Sequence, residues 1–259
     1  MKTIDWKHTS VGQIVADDFA AASVFKKYGI DFCCHGEVTL EKACADLGLA
    51  VEEVEQALLH QGEAGNGQIP FASWPLDLLM DYILKIHHRG IRARPAEVLK
   101  IFSFTLRIRA RGPELLALLE KVERVHGEVH PELHELRVLV SESLEDLEMH
   151  LQKEENVLFP YLYELYAAKE QGQRMAPMHC GTIANPIRVM KMEHEGEGNR
   201  YLHIIQLTNH FSVPQDGCAS YRLLMQELEA FVDALFEHIH LENNLLFPRF
   251  EEIEREIVC

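Results

Sequence analysis

An eleven-residue pattern that occurs twice constrains this chain more than any other feature. The copies are HLQKEENVLFP at His150–Pro160 and HIHLENNLLFP at His238–Pro248. Each has a histidine, a glutamate four residues on, an asparagine two residues later, and a closing Leu-Phe-Pro. Residues four apart share one face of an α-helix, one turn apart. Each copy therefore presents an imidazole and a carboxylate from one helix face. The closing proline stops or kinks the helix. One such pair reads as an ordinary exposed ion pair, whereas two inside a shared pattern point to a common metal site.

A pair of metal ions needs more donors than two His and two Glu. Each half supplies another histidine upstream, on a separate predicted helix: His87 or His88 in DYILKIHHRG, and His194 in PIRVMKMEHEGE. His87 continues the apolar face of Leu79, Ile83 and Ile86, while His88 is turned away by about 100°. His238 matches His150, and His240 falls off that register. The predicted donors are thus His87, His150, Glu154, His194, His238 and Glu242. Two helices giving one donor each and two giving paired donors is the plan of a di-iron bundle. Imidazole and carboxylate without thiolate favour iron or manganese, with zinc also compatible with the spacing. Six protein donors leave room for a bridging oxo or hydroxo group and for an open position. Asp146, one turn before His150, and Glu193 read first as solvated carboxylates; the alternative is that they support the donors or form a proton or iron path.

The rest of the chain reads as all-α. Long amphipathic runs at Asp77–Arg94, Glu114–His126, Leu133–Tyr166, Ile187–Leu207 and Tyr221–Glu256 predict a four-helix bundle, with Pro75, Pro113 and Pro186 as starts. QGEAGNGQIP, with its break at Gly62–Pro70, is linker chemistry. It separates a small helical domain, 1–65, from a bundle, 72–259. In the small domain one helix is expected over Val11–Tyr28, ended by Gly29, with further helices starting at Thr39 and over Val51–Leu59. His126, His130 and His134 are also spaced by four, but Gly127 and Pro131 break the helix that would align them, so a local structural role is expected.

Composition excludes several function classes. With 41 acidic against 25 basic residues the formal charge is -16. This disfavours nucleic acid and anionic membrane as partners. There is no apolar run long enough to span a bilayer and no signal segment, so a cytoplasmic protein is expected. The six cysteines are read as thiols. Cys33 and Cys34 follow a helix-ending glycine and lie beside His35, where a thiol can be activated. Cys44, Cys180, Cys218 and Cys259 carry no motif.

GIDFCCHG, VERVHGEVHPEL, the HxxxE…LFP pattern, PIRVMKMEH and HIHLENNLLFPR occur here in one order. Together they resemble the iron–sulphur cluster repair di-iron proteins, over nearly the whole chain. The resemblance implies a short N-terminal domain with paired cysteines and a hemerythrin-like four-helix bundle. It implies two non-haem irons held by His87, His150, Glu154, His194, His238 and Glu242. It puts the functional cysteines at Cys33 and Cys34, assisting delivery or redox control. The role it implies is repair of iron–sulphur clusters damaged by nitric oxide or peroxide, with iron–sulphur client proteins as partners, and it is compatible with a homodimer. Two alternatives are an enzyme that couples two NO molecules to N2O, and a reversible O2 or NO sensor. One departure stands out: IRARP at Ile91–Pro95 recurs as IRARGP at Ile108–Pro113, as if about five helical turns were inserted after His87.

Overall fold

The structure is a computed structural model that describes residues 5–63, 69, 71–88, 108–179 and 181–258; the side chains of 62–63, 86–88 and 108–111 lie outside the description. Among the described residues there are helices and no β-strand.

The N-terminal region is four short helices. α1 (Val11–Asp17) starts where the Ser10 hydroxyl accepts from the Gln13 backbone N–H. α2 (Ala21–Tyr28) ends at Gly29, whose φ of 70° is left-handed, as expected. The predicted single helix over Val11–Tyr28 is in fact broken, because the Asp18 carboxylate takes the Ala20 N–H and turns the chain. Thr39 caps α3 (Leu40–Leu47) through the Lys42 N–H, a contact contributing about 1 kcal/mol. α4 (Val51–Glu63) runs beyond the expected Leu59 and takes Gly62 into the helix.

A turn at Phe71–Ser73 leads to α5 (Leu76–Tyr82), with Pro75 at its N-cap, and a wide π-turn over Ile83–His88. α6 (Ile108–His126) contains Pro113 rather than starting at it. α5 packs on the helix Phe159–Glu170 and on the π-turn at Leu241–Leu246, while α6 packs on the helices Glu132–Lys153 and Ala219–His240. One wall of the bundle is thus built from two pieces, and most of the apparent insertion, 89–107, lies outside the described residues.

The second wall is α7 (Glu132–Lys153), a π-turn over Glu154–Leu158, and α8 (Phe159–Glu170). The third is α9 (Ala184–Leu207). The fourth is α10 (Ala219–His240), a π-turn over Leu241–Leu246, and α11 (Phe247–Ile257). The prolines of the repeat do not end their helices. Pro160 and Pro248 sit in the first turn of α8 and α11. An α-register there would need a missing N–H and drive the ring into the carbonyl four residues back. The chain widens instead: the N–H groups of Phe159 and Phe247 reach back five residues, to the carbonyls of Glu154 and Glu242.

Two apolar clusters fill the molecule. One joins Val11, Phe25 and Leu40 to Leu119, Leu147, Leu151, Tyr201, Phe231, Leu235 and Ile239. The other holds Phe71, Leu79, Ile83, Leu158, Met190, Leu241 and Phe247. Glu154 falls between Leu151 of the first cluster and Leu158 of the second, and His194 between Tyr201 and Met190; with the buried His150, His238 and Glu242 they form a polar layer where the clusters meet.

Candidate metal centre

Five of the six predicted donors converge in that layer. His150, Glu154, His194, His238 and Glu242 are all buried, and one donor atom from each lies within 4.8 Å of the others. His87 is on the Ile83–His88 π-turn, and its side chain lies outside the described residues.

The geometry follows from the repeat. His150 Nε2 is 3.2 Å from Glu154 Oε1, and His238 Nε2 is 3.7 Å from Glu242 Oε2, one turn along each helix. His194, from the helix between, puts its Nε2 3.0 Å from His150 Nε2 and 3.3 Å from Glu242 Oε2. The Glu154 carboxylate divides: Oε1 faces His150 and His194, and Oε2 lies 4.0 Å from His238 Nε2. All three imidazoles therefore aim Nε2 inward, where a ligand must be deprotonated and unhindered.

Groups outside the cluster fix the rings. Glu193 Oε2 accepts from His150 Nδ1 at 2.8 Å, and Lys153 pairs with Glu193. Asn243 Oδ1 accepts from His194 Nδ1 at 2.9 Å. These bonds leave Nε2 as the free lone pair on both rings, the usual support for a metal-binding histidine. His194 also stacks flat on Phe247. Glu193 thus supports a donor, the alternative reading of its position. Asp146 does not: it is exposed and pairs with Arg200 at 2.8 Å.

The electrostatics are those of a site built for cations. Burial, then the neighbouring Glu154, pushes the Glu242 carboxyl well up. Burial would depress His150, but Glu154 and Glu193 outweigh it and raise its pKa to about 10. Burial and the His150 charge lower His194 to about 4. Two carboxylates and three imidazoles packed this closely carry a large desolvation cost, which a divalent or trivalent ion would offset. The donors are hard oxygen and borderline nitrogen with no sulfur, a set that fits iron.

A cavity of about 380 Å³ opens beside the cluster, lined by His150, His194 and His238 within and by Lys153, Glu193 and Arg200 further out. Behind it Ser143 donates to the buried Glu197, and Ser143 and Tyr201 share a 2.8 Å hydroxyl contact.

The N-terminal thiols lie against this centre. Cys33 Sγ is 3.7 Å from Cys34 Sγ, and Cys34 Sγ is 3.4 Å from the His194 carbonyl oxygen. The Cys34 contact and burial hold the Cys33 thiol protonated, well above the usual range. Asn243 Nδ2 donates to the Cys33 carbonyl, and Asn244 Nδ2 to the Phe32 and Cys33 carbonyls, all at 3.2 Å. Sequence reasoning missed these asparagines. The signal was the ENN of the second copy where the first has EEN.

His240 is neither a donor nor solvent-facing. It is buried, with Nδ1 against the Asn244 amide and its ring near Phe19 and Phe32. His126, His130 and His134 do not align: α6 ends at His126 and α7 starts at Glu132. Cys218, expected to be unremarkable, meets His126 Nε2 at 3.2 Å. Cys44 is buried, and Cys180 and Cys259 lie outside the described residues. No described helix is long and apolar enough to cross a membrane.

Comparison with known proteins agrees with this architecture. Residues 106–250 match the hemerythrin HHE cation binding domain, and residues 7–61 match a domain of unknown function, DUF542. A probable iron-sulfur cluster repair protein of Haemophilus influenzae is 35% identical over 88% of this chain and 90% of its own. The iron-sulfur cluster repair protein YtfE of Yersinia pseudotuberculosis is 32% identical over 95% of this chain and 98% of its own, and that of Yersinia pestis is equally similar. With a hemerythrin HHE domain across its bundle and this similarity along almost its whole length, the chain belongs to the family of iron–sulfur cluster repair proteins.

Proposed function

We propose that this protein holds two iron ions in the buried layer and supplies iron to iron–sulfur clusters damaged by oxidative or nitrosative stress. The observation that carries the two-ion reading is the division of Glu154, whose two oxygens face different histidines. A carboxylate so placed can bridge two ions. His150 and His194 would serve one side and His238 the other; His87 remains the sixth donor expected from the sequence. When bound, the ions would supply redox chemistry and a labile store of iron. The chain's own groups hold the imidazoles in one tautomer and keep the carboxylates dry. The relatives' name as repair proteins, matched over most of this chain, supports the role. Iron–sulfur enzymes of the cytoplasm are the expected clients.

The cavity reaching His150, His194 and His238 favours a second reading, in which the centre takes up a small molecule such as NO, O2 or peroxide. A purified assay separates the two. Iron-loaded protein, mixed with a nitrosylated iron–sulfur enzyme, should restore its activity while losing iron itself. H238A should hold about half the iron or less and restore little. Failure of the fully loaded protein to restore activity would remove the repair reading. Sustained N2O formation from NO over many turnovers, with an added electron donor supplying two electrons and water supplying two protons per N2O, would establish the enzymatic one in its place.

A further inference from the structure

The strongest unexplained cluster outside the histidine–glutamate centre is the loop that docks on it. Asp31 Oδ1 accepts from the backbone N–H groups of Cys33, at 3.1 Å, and Cys34, at 2.9 Å, and from the Cys33 thiol at 3.4 Å. One atom each from Asp31, Cys33 and Cys34 lies within 4.8 Å of the others. His35 Nδ1 is 2.7 Å from Asp31 Oδ2, and Glu195 of α9 lies 3.9 Å beyond His35 Nε2.

The spacing of these atoms can be compared with what an ion needs. Two thiolates about 2.3 Å from a tetrahedral ion stand about 3.8 Å apart, and a carboxylate oxygen at about 2.1 Å stands about 3.6 Å from each sulfur. Here the sulfurs are 3.7 Å apart, and the oxygen is 3.4 Å from Cys33 Sγ. A disulfide needs about 2.05 Å between sulfurs; at 3.7 Å the two are separate thiols in contact, at a separation that one tetrahedral ion could bridge without moving them. The thiol is seated closely on α9: a Cβ added at Gly198 would come within 2.8 Å of Cys34 Sγ, so a glycine is needed there.

We propose that Asp31, Cys33 and Cys34 form a second cation site, for one thiophilic divalent ion, seated on α9 beside the histidine–glutamate centre. His35 holds the carboxylate from outside, through Asp31 Oδ2. The site differs in chemistry from the centre it touches. Sulfur-rich donors take softer ions and ferrous rather than ferric iron. It is joined to that centre through His194, whose carbonyl contacts Cys34 and whose Nδ1 bonds Asn243, which in turn holds the Cys33 carbonyl. That the ion is ferrous iron in transit rests on the repair reading; that the site exists does not.

Cobalt tests it without relying on repair activity. Full-length protein with its iron centre filled, kept reduced and anaerobic, is titrated with Co2+. The expected result is sulfur-to-cobalt charge-transfer absorption that saturates at one ion per chain. C34S, at the half-exposed thiol, should weaken binding at least ~10-fold, since even supporting groups around a metal are worth 10–100-fold. C33S/C34S should abolish the band, D31N should weaken binding, and none should change the iron content. Absence of the band up to about 1 mM Co2+, or its survival in C33S/C34S, would overturn the proposal. If C33S disturbs folding, C34S alone decides. Repair is measured separately: its failure with the cobalt band intact removes the iron-supply reading and leaves the site standing.

Discussion

At the scale of single residues, the informative side chains are those whose partners come from distant sequence. Cys218 is the N-cap of α10, with His126 Nε2 at 3.2 Å. That hydrogen bond first, then the Tyr221 backbone N–H, brings its thiol down to about 7. His130, paired with Asp216, and Tyr221 complete its surroundings. A lowered thiol pKa means that thiolate is present at lower pH. Alkylation of Cys218 by iodoacetamide should be half-maximal near pH 7, against about 8.5 for an ordinary cysteine. The gain in rate at pH 7 should be only about threefold, because a less basic thiolate is also a weaker nucleophile. H126Q should move the midpoint up by about one unit; a wild-type midpoint above 8 would refute the pairing.

His150, Glu154, His194, His238 and Glu242 were legible because helix periodicity is local: a spacing of four fixes a shared face whatever the fold. The partners that steady them were less so. Glu193 was suspected from its adjacency to His194. Asn243 and Asn244 were not, since each acts across a contact between segments some 210 residues apart. Asp146 follows the plainer of its two readings, a solvated carboxylate: sharing a face with His150 does not bury it, and Arg200 is its partner.

At the scale of elements, most helices followed from periodicity and caps, and the errors occurred where a polar side chain or a proline overrode the period. Asp18 split one predicted helix into two, and Pro113 proved tolerable inside another. Docking of the loop on the bundle depends on close approach. A Cβ at Gly36 would lie 2.3 Å from Asn244 Oδ1 and 2.9 Å from the Phe32 carbonyl oxygen. G36A should therefore push the loop off α10 and its π-turn, costing ~1–3 kcal/mol as overpacking does. At about 2–4 °C per kcal/mol for a chain of this size, melting should fall by several degrees. An unchanged melting temperature would show that the loop does not rest on Asn244.

At the scale of the whole molecule, the N-terminal helices share an apolar cluster with the bundle. Phe32 meets Phe236 edge-on, and Lys26 bonds Asp233 at 2.6 Å. A chain beginning at Ile69 would expose Phe236 and the His240 ring, both of which Phe32 meets. It should bind a hydrophobic dye and melt at a lower temperature than the full chain. Equal dye binding by both would mean that the two regions are thermodynamically separate. The sequence placed a break near Gly62 but said nothing of this shared core, because linker chemistry marks where a chain is free to turn and not what its two sides touch.

The π-turns carry one more consequence. Each contains one residue more than an α-helical turn would, so the helix beyond it runs about 100° out of phase with the helix before it. Histidine and glutamate are set by the first phase, and the leucine, phenylalanine and proline that follow by the second. What joins them is a count of residues, like the offset between two threads cut on one bolt. Exchanging a side chain at Asn156 or Val157 leaves that offset alone. Removing either residue would bring the threads into step and rotate Leu158 and Phe159 out of the core, so the segment should accept many spellings but only one length.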